Sequence, residues 1–374
     1  MDKLVNIYRI NNYIDTFALG HYARVSEAID NRNGETVAFK VMRSEHLSPD
    51  GDIRWEYRAF ANEAELLTAL DNNPHIINMI DCGYLSTLSD TFIDGEIASF
   101  GQDITSFADA LTDYAERNWR PYITMPSLPR TNNLFYLMKP NTPGARKRLP
   151  SEEGLTIAMQ FGHVLQSAHR KGIVYLDHKL EHVYWDGTKL EIIDLNSSRQ
   201  LDSDATGNDN LFRMDVHNLC VGILYPLLTG LSPQKGTLRP QPSGMSEVET
   251  RYQGVTSLDF GVEPTLSVAF QELLQRGAAM QIETADDFLM GLQQVAALHG
   301  WDFPNQYTAA ADREARDQMR GGLRKIREGQ ACLHDAREML REAAILEGIS
   351  EDMEDELRRL IKVANETLNH RVIP

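Results

Sequence analysis

The sequence predicts an α+β protein of two lobes, a sheet-rich one followed by a helical one, with a helical extension at the C-terminal end. Three observations carry that prediction. The first forty residues alternate polar and apolar positions in the manner of half-buried strands. The part after residue 150 is dominated by apolar positions at helical spacing, broken only by short apolar pieces. Beyond Trp301 the composition turns to Arg, Glu, Ala and Leu with almost no aromatics.

Each element follows in order. YIDTFAL and ARVSEAI alternate, and Asn33-Gly34 sits where a tight turn joins two strands, so three strands form an antiparallel meander. RWEYRAFANEAELLTAL sets Tyr57, Phe60, Ala64, Leu67 and Leu70 on one helical face, with Asp71 to Pro74 as the stop. From Leu85 to Asn118 the pattern weakens into Ser, Thr, Asp and Gly around a short helix, which reads as an insertion in a loop. PYITMPSL resumes as a strand. After the Pro-rich, basic segment PNTPGARKRLP, Ser151 caps a helix whose stripe includes Leu155, Ala158, Phe161, Val164, Leu165 and Ala168 and which ends near Lys171-Gly172. Short apolar pieces, GIVYL, HVYW and KLEIIDL, follow with a turn at Asp186-Gly187, and Asp215 opens the apolar helix VHNLCVGILYPLLTG.

In the extension, Met319, Leu323, Ile326, Leu333, Ala336, Leu340 and Ala343 form an apolar stripe that Gly348 interrupts. Ser350 caps a second helix, with Glu351 and Asp352 in its first turn and Met353, Leu357, Leu360, Ile361, Ala364 and Leu368 on its apolar face. The two are expected to pair antiparallel. A hairpin of this size buries little alone, so its stripe must also meet the helical lobe, a second copy or another protein. The expected boundaries are 1–125 for the first lobe, with the insertion at about 85–118, then 126–304, then 305–374.

Charge and composition narrow the function classes. Lys and Arg total 37 against 54 Asp and Glu, and a net charge of −17 repels nucleic acid and anionic lipid, so neither is an expected partner. The cluster Arg146, Lys147 and Arg148 is the local exception that could face an anion. Cys82, Cys220 and Cys332 are far apart and lack CxxC spacing, which suggests neither a zinc site nor disulfides and fits a reducing cytoplasm. The start, MDKLVNIYRINNYIDTF, lacks the apolar stretch of a signal peptide, and no run approaches a membrane span, so a cytoplasmic protein is expected.

Several short motifs then occur in a telling order. ALGHYARV and VAFKVM lie in the first lobe, and GIVYLDHKLEHVYWDGTKLEIIDLNSSR opens the second. Together they resemble the protein kinase superfamily over about residues 10 to 300. The resemblance implies a two-lobed kinase-like fold with ATP in the cleft. ALGHYARV resembles the Gly-rich loop over the phosphates, with Ala18, Gly20 and Ala23 at its glycine places and Val25 beneath the adenine. Met125, at the end of the first lobe, completes the implied nucleotide set. Lys40 of VAFKVM takes the place of the lysine that reaches the α- and β-phosphates, with Glu63 as the helix partner by register. An isolated lysine of this kind is otherwise an exposed strand residue.

In the long segment, Tyr175-Leu176-Asp177 stands at the H-R-D place. The resemblance makes Asp177 the group that orients and deprotonates the acceptor hydroxyl, and Lys179 the cation on the transferred phosphoryl group. Leu176 removes the arginine that commonly meets a phosphorylated activation loop. Asp194-Leu195-Asn196 replaces D-F-G and retains the metal-binding carboxylate, with Asn196 tolerant of a left-handed turn. His182 stands where the family's metal-binding asparagine belongs. It implies one metal site, a preference for Mn²⁺ over Mg²⁺, or a histidine that only packs. Asp215 matches the carboxylate that anchors the catalytic loop from below. No A-P-E motif closes the short stretch from Asp194 to Asp215, and Gln281 and Ile282 stand where its arginine partner would be. Two functions follow: an ATP-dependent phosphotransferase acting on a protein Ser/Thr or small-molecule hydroxyl, or a pseudokinase scaffold that binds nucleotide and a protein partner.

Overall fold

The computed structural model describes residues 2–13, 22–47, 53–86, 95–139, 146–202, 207–232, 248, 251–300, 310–346, 348 and 350–369. Ala18 and Gly20 lie outside these residues.

The first lobe is built on a seven-stranded antiparallel sheet of order β1-β6-β5-β7-β4-β3-β2. Its strands are Asp2–Lys3 (β1), Tyr8–Tyr13 (β2), Ala23–Asp30 (β3), Thr36–Met42 (β4), Asp81–Leu85 (β5), Glu96–Gly101 (β6) and Arg120–Pro126 (β7). A short helix, Leu4–Ile7 (α1), joins β1 to β2. Strands β2, β3 and β4 form the expected meander. Between β3 and β4 the chain turns at Gly34, whose φ of 79° only glycine adopts freely and whose N–H donates to the Asp30 carbonyl at 2.7 Å.

Pairing fixes the two faces of the sheet. Val25 lies opposite Lys40, Lys40 opposite Ile123, and Ala38 opposite Met125. Because side chains alternate along a strand, Ala23, Val25, Lys40 and Met125 share one face. That face packs on the helix Trp55–Ala69 (α2), where Tyr57, Phe60, Ala64 and Leu67 are buried as their spacing predicts. On the opposite face, Val37, Phe39, Val41 and Tyr122 join Leu4 and Tyr8 in a second apolar cluster. Asp81, fully buried there, accepts from the hydroxyls of Tyr8 (2.7 Å), Tyr122 (3.1 Å) and Ser99 (2.7 Å) and from the Gly101 N–H (2.9 Å). A buried carboxylate tolerates that position only because its lone pairs are taken.

The stretch 85–118, read as an insertion around a short helix, supplies more than that. It carries β6, which pairs with both β5 and β1, and the short helices Ile104–Asp109 (α3) and Leu111–Glu116 (α4). The sequence EIASFG buries only Ile97, so the alternation that announces a strand is faint. Asp103 caps α3 by accepting from the Ser106 N–H at 3.1 Å.

The second lobe is helical. After Leu134–Met138 (α5) comes Ser151–Arg170 (α6), with its predicted stripe buried and its end at Lys171 and Gly172, the latter at φ 70°. Ser151 does not cap it: Pro150 occupies the cap position and Ser151 is the first helical residue. Short strands Ile173–Val174 (β8), Val183–Trp185 (β9), Leu190–Ile192 (β10) and Arg199–Gln200 (β11) pair as β9 with β10 and β8 with β11. The apolar helix starts at Asn208, earlier than Asp215: its first residues, Asn208, Asp209 and Asn210, are polar, and Leu211, Phe212 and Met214 are only partly buried. It runs as Asn208–Asn218 (α7), a π-helical turn Leu219–Leu224, and Tyr225–Thr229 (α8). Pro226 cannot donate to the carbonyl one turn earlier, and the π turn lies directly before it. Among the described residues, two further long helices, Val268–Ala278 (α9) and Ala285–Leu298 (α10), follow in this lobe. Ser267 caps α9 through the Phe270 N–H and Thr284 caps α10 through the Asp287 N–H.

The extension forms two helices, Ala310–Ala344 (α11) and Glu351–Asn369 (α12), that pack on each other with Leu357, Ala364 and Leu368 buried. Ser350 caps α12 through the Met353 N–H, although Met353 itself is exposed and leaves the predicted stripe. Met319 and Leu323 lie where side chains are not described. The hairpin also meets the second lobe: the Tyr136 hydroxyl donates to Asp335 at 3.2 Å and its ring lies edge-on to His334. Two of the basic residues serve the fold internally. Arg148 pairs with Glu263 at 2.8 Å, and Arg146 donates to the carbonyls of Thr229 and Val262.

Candidate active site

Lys40 points from the inner face of β4 and is only 5 % exposed. Its Nζ donates to both oxygens of Glu63 at 2.8 Å and to Asp194 Oδ1 at 3.1 Å. Glu63, the partner that register suggests, is the α2 glutamate that Lys40 meets. Burial alone would lower the Lys40 pKa, but Asp194 and Glu63 outweigh it and hold the ammonium form. Burial pushes the Glu63 carboxyl up to about 7, with Asp194 adding to the rise and Lys40 opposing it.

Asp194 sits just after β10 in the left-handed region, at φ 65°. The sequence reading places that conformation at Asn196, whereas the aspartate itself adopts it. A non-glycine residue held there stores about 1–3 kcal/mol of strain, which persists only when neighbours over-determine it. Lys40 is one such neighbour, and it keeps the carboxylate ionised despite burial.

The catalytic-loop segment lies on the second lobe. Asp215, from α7, accepts from the N–H groups of Tyr175 (2.8 Å) and Leu176 (2.7 Å) and from His169 Nε2 (2.9 Å). This is the anchoring the resemblance implies, and it holds Leu176 at φ 63°. Asp177 follows, 3 % exposed, with Oδ2 2.9 Å from Lys179 Nζ. Burial would raise its pKa, but His182, Lys179 and Arg251 hold it well below the usual carboxylate range.

His182 ends the turn Leu180–His182 and spans the two acids. Its Nδ1 is 3.6 Å from Asp177 Oδ2 and its Nε2 is 3.6 Å from Asp194 Oδ2. Both separations are too long for hydrogen bonds, and Nδ1 is a buried polar atom with no hydrogen-bond partner. Among the described residues no three His, Cys, Asp or Glu side chains converge to hold a metal by themselves. An imidazole and a carboxylate facing across 3.6 Å are nevertheless a donor pair that suits one divalent ion completed by phosphate oxygens.

Two residues that the motifs do not assign also reach this region. Tyr22, beside the Gly-rich-loop positions, is buried edge-on to Phe60 and Trp55, with Lys40 Nζ 5.7 Å from its ring centre. Arg251, from the segment between α8 and α9, places Nη1 2.6 Å from Asp177 Oδ1. No spacing in the sequence announces it, because the contact depends on how a long connection returns to the loop. Ala23 and Val25 lie on β3 and Met125 on β7, all on the Lys40 face.

No protein-family model matches the sequence, and no curated protein matches it. Among solved structures, the chain is similar to the kinase PK-1 of Cydia pomonella granulovirus, with a TM-score of 0.51 and 15 % identity, over 76 % of this chain and 93 % of that one. The fold is therefore two-lobed, α+β and protein-kinase-like. In addition, among the described residues no helix is long and apolar enough to cross a membrane.

Proposed function

We propose that the protein binds ATP between its lobes and transfers the terminal phosphoryl group to a hydroxyl acceptor, a protein Ser/Thr or a small molecule. The observation that carries this reading is Lys40 gripping Glu63 and Asp194 at once, with His182 standing between Asp194 and Asp177 at 3.6 Å from each. A buried ion pair contributes little net stability and an apolar pair would serve the sheet as well. Its presence here argues for ligand chemistry.

In this reading Lys40, steadied by Glu63, binds the α- and β-phosphates, Ala23 stands at a glycine place of the loop over the phosphates, and Val25 and Met125 line the base. Ala18 and Gly20, outside the described residues, are the other two glycine places of that loop by resemblance. Asp194, with His182, would hold a divalent ion, which supplies positive charge against the phosphate oxygens. The imidazole favours Mn²⁺ over Mg²⁺. Asp177 orients the acceptor hydroxyl and takes its proton, and Lys179 offsets the charge on the transferred group. The test is incubation with labelled ATP and either metal ion, comparing the parent with Asp177→Asn and Asp194→Asn. Label transfer lost in both variants supports chemistry at this site, and transfer retained in both refutes it. His182→Asn is expected to improve the Mg²⁺ reaction relative to Mn²⁺.

A second reading, a pseudokinase that uses nucleotide to brace a scaffold, is favoured by one contact, the ion pair of Arg251 with Asp177. ATP binding without label transfer under either metal is its expected signature.

A further inference from the structure

The carboxylate assigned to the acceptor hydroxyl is met by a cation at each oxygen. Lys179 Nζ lies 2.9 Å from Asp177 Oδ2, and Arg251 Nη1 lies 2.6 Å from Oδ1. Lys179 belongs to the catalytic loop itself, whereas Arg251 comes from the connection between α8 and α9. Asp215 fixes the backbone of the loop through Tyr175 and Leu176, but not the last torsion of the Asp177 side chain, which is broad for a carboxylate. A lysine ammonium is a compact charge on a flexible stem, so its contact at Oδ2 leaves the plane of the group free to turn. A second contact at Oδ1, from a planar guanidinium, removes that freedom.

The guanidinium is itself held. The Arg251 side chain is 8 % exposed, and Asp177 is not its sole partner. The next residue, Tyr252, donates from its hydroxyl to the His178 carbonyl of the catalytic loop at 2.8 Å, and His217 Nε2 lies 3.2 Å from the Tyr252 carbonyl oxygen. Burial pushes the Tyr252 hydroxyl up to about 12, with the Arg251 charge beside it opposing the rise. The tyrosine ring lies against Gly222 inside the π-helical turn, where a Cβ would stand 2.5 Å from a ring carbon. The glycine and the π turn together make the slot that the tyrosine fills. Arg251 and Tyr252 thus dock twice on the loop, the tyrosine on its backbone and the arginine on its carboxylate. A buried ion pair adds little net stability, so packing alone gives no reason for an arginine at this place.

We propose that Arg251 is a positioning residue for phosphoryl transfer, which sets the plane of the Asp177 carboxylate for the acceptor hydroxyl. This inference rests on the phosphotransfer reading above. Each carboxylate oxygen carries two lone pairs, so Oδ1 accepts from the hydroxyl while it faces Arg251. The acceptor O–H proton passes to Asp177 as the acceptor oxygen bonds to the γ-phosphorus. The bond from that phosphorus to the β–γ bridging oxygen breaks, and ADP leaves with the electron pair. Arg251 acts through Asp177 and touches neither the acceptor nor the nucleotide. Water as the acceptor yields inorganic phosphate, so hydrolysis reports on this role without knowledge of the natural acceptor.

The experiment compares kcat for ATP hydrolysis with Mn²⁺ by the full chain and by its Arg251→Gln and Arg251→Lys variants, with ATP and ADP affinities measured alongside. Arg251→Gln keeps a polar side chain without the charge, and is expected to lower kcat by about ten- to a hundred-fold with both affinities unchanged. Arg251→Lys returns a cation without the planar fork, and is expected to recover part of the loss. Unchanged or faster hydrolysis in Arg251→Gln overturns the positioning role. A loss of affinity for ATP but not for ADP also overturns it, and would make Arg251 a ligand of the terminal phosphate. Loss of both affinities in both variants overturns it as well, and would leave the arginine as a brace of the fold. If the parent binds ATP and hydrolyses none, the phosphotransfer reading itself fails, and the inference falls with it.

Discussion

His178 is fully buried in the catalytic loop, stacked on Phe161 and edge-on to Tyr175, with Nδ1 3.2 Å from the Leu176 carbonyl. Burial pushes its pKa down to about 4, with Asp215 partly opposing the shift. The unfolded chain takes up this proton near pH 6.5 and the folded chain only near pH 4, so the group's contribution is intact above pH 6.5 and lost as pH falls towards 4. The loss amounts to about 3 kcal/mol. His178→Leu should flatten stability over that window in denaturant melts at pH 7 and pH 4.5, and an unchanged pH slope would exclude His178 as its source. At the same scale, most candidate site residues were legible. Lys40, Glu63, Asp177, Lys179, His182 and Asp194 stand in motifs whose order is informative, and the structure brings them together. The left-handed turn was placed two residues late, at Asn196, because tolerance of positive φ ranks residue types but does not say where the chain bends. Arg251 left no trace in spacing at all.

Elements were legible where burial is one-sided. The stripes of α2 and α6 are apolar on one face and polar on the other, and both were placed from spacing. Strand β6 escaped because only Ile97 in it is buried, and the start of α7 because its first three residues are polar. The π turn was likewise invisible, although Gly222 and Pro226 mark it once seen. The hairpin of α11 and α12 permits a direct test, since its own core includes Leu357, Ala364 and Leu368 and its described links to the lobe include polar and aromatic contacts at Tyr136 and the turn Arg130–Asn132. Burying a charge there should melt the hairpin alone, because an unpaired buried carboxylate costs several kcal/mol. Leu357→Asp is therefore expected to remove hydrogen-exchange protection across 310–369 and leave α6 protected. Loss of protection in both would mean that hairpin and lobe fold as one unit.

For the whole molecule, the two-lobed architecture followed from the change of period along the chain, and the fold of the granulovirus kinase accounts for 76 % of it at low identity. Function at this scale depends on whether the sheet face bearing Lys40 and the loop bearing Asp177 close on the same ligand. The account's central claim is that Lys40 binds nucleotide phosphate. The most direct measurement is the thermal shift produced by millimolar ATP with Mn²⁺ on the parent protein and on Lys40→Met. A ligand bound only to the folded state stabilises it by about 2.7 kcal/mol at one hundred times its dissociation constant, so the parent should melt several degrees higher with ATP. Lys40→Met should lose most of that rise. No shift in the parent, or an equal shift in both proteins, would contradict the claim.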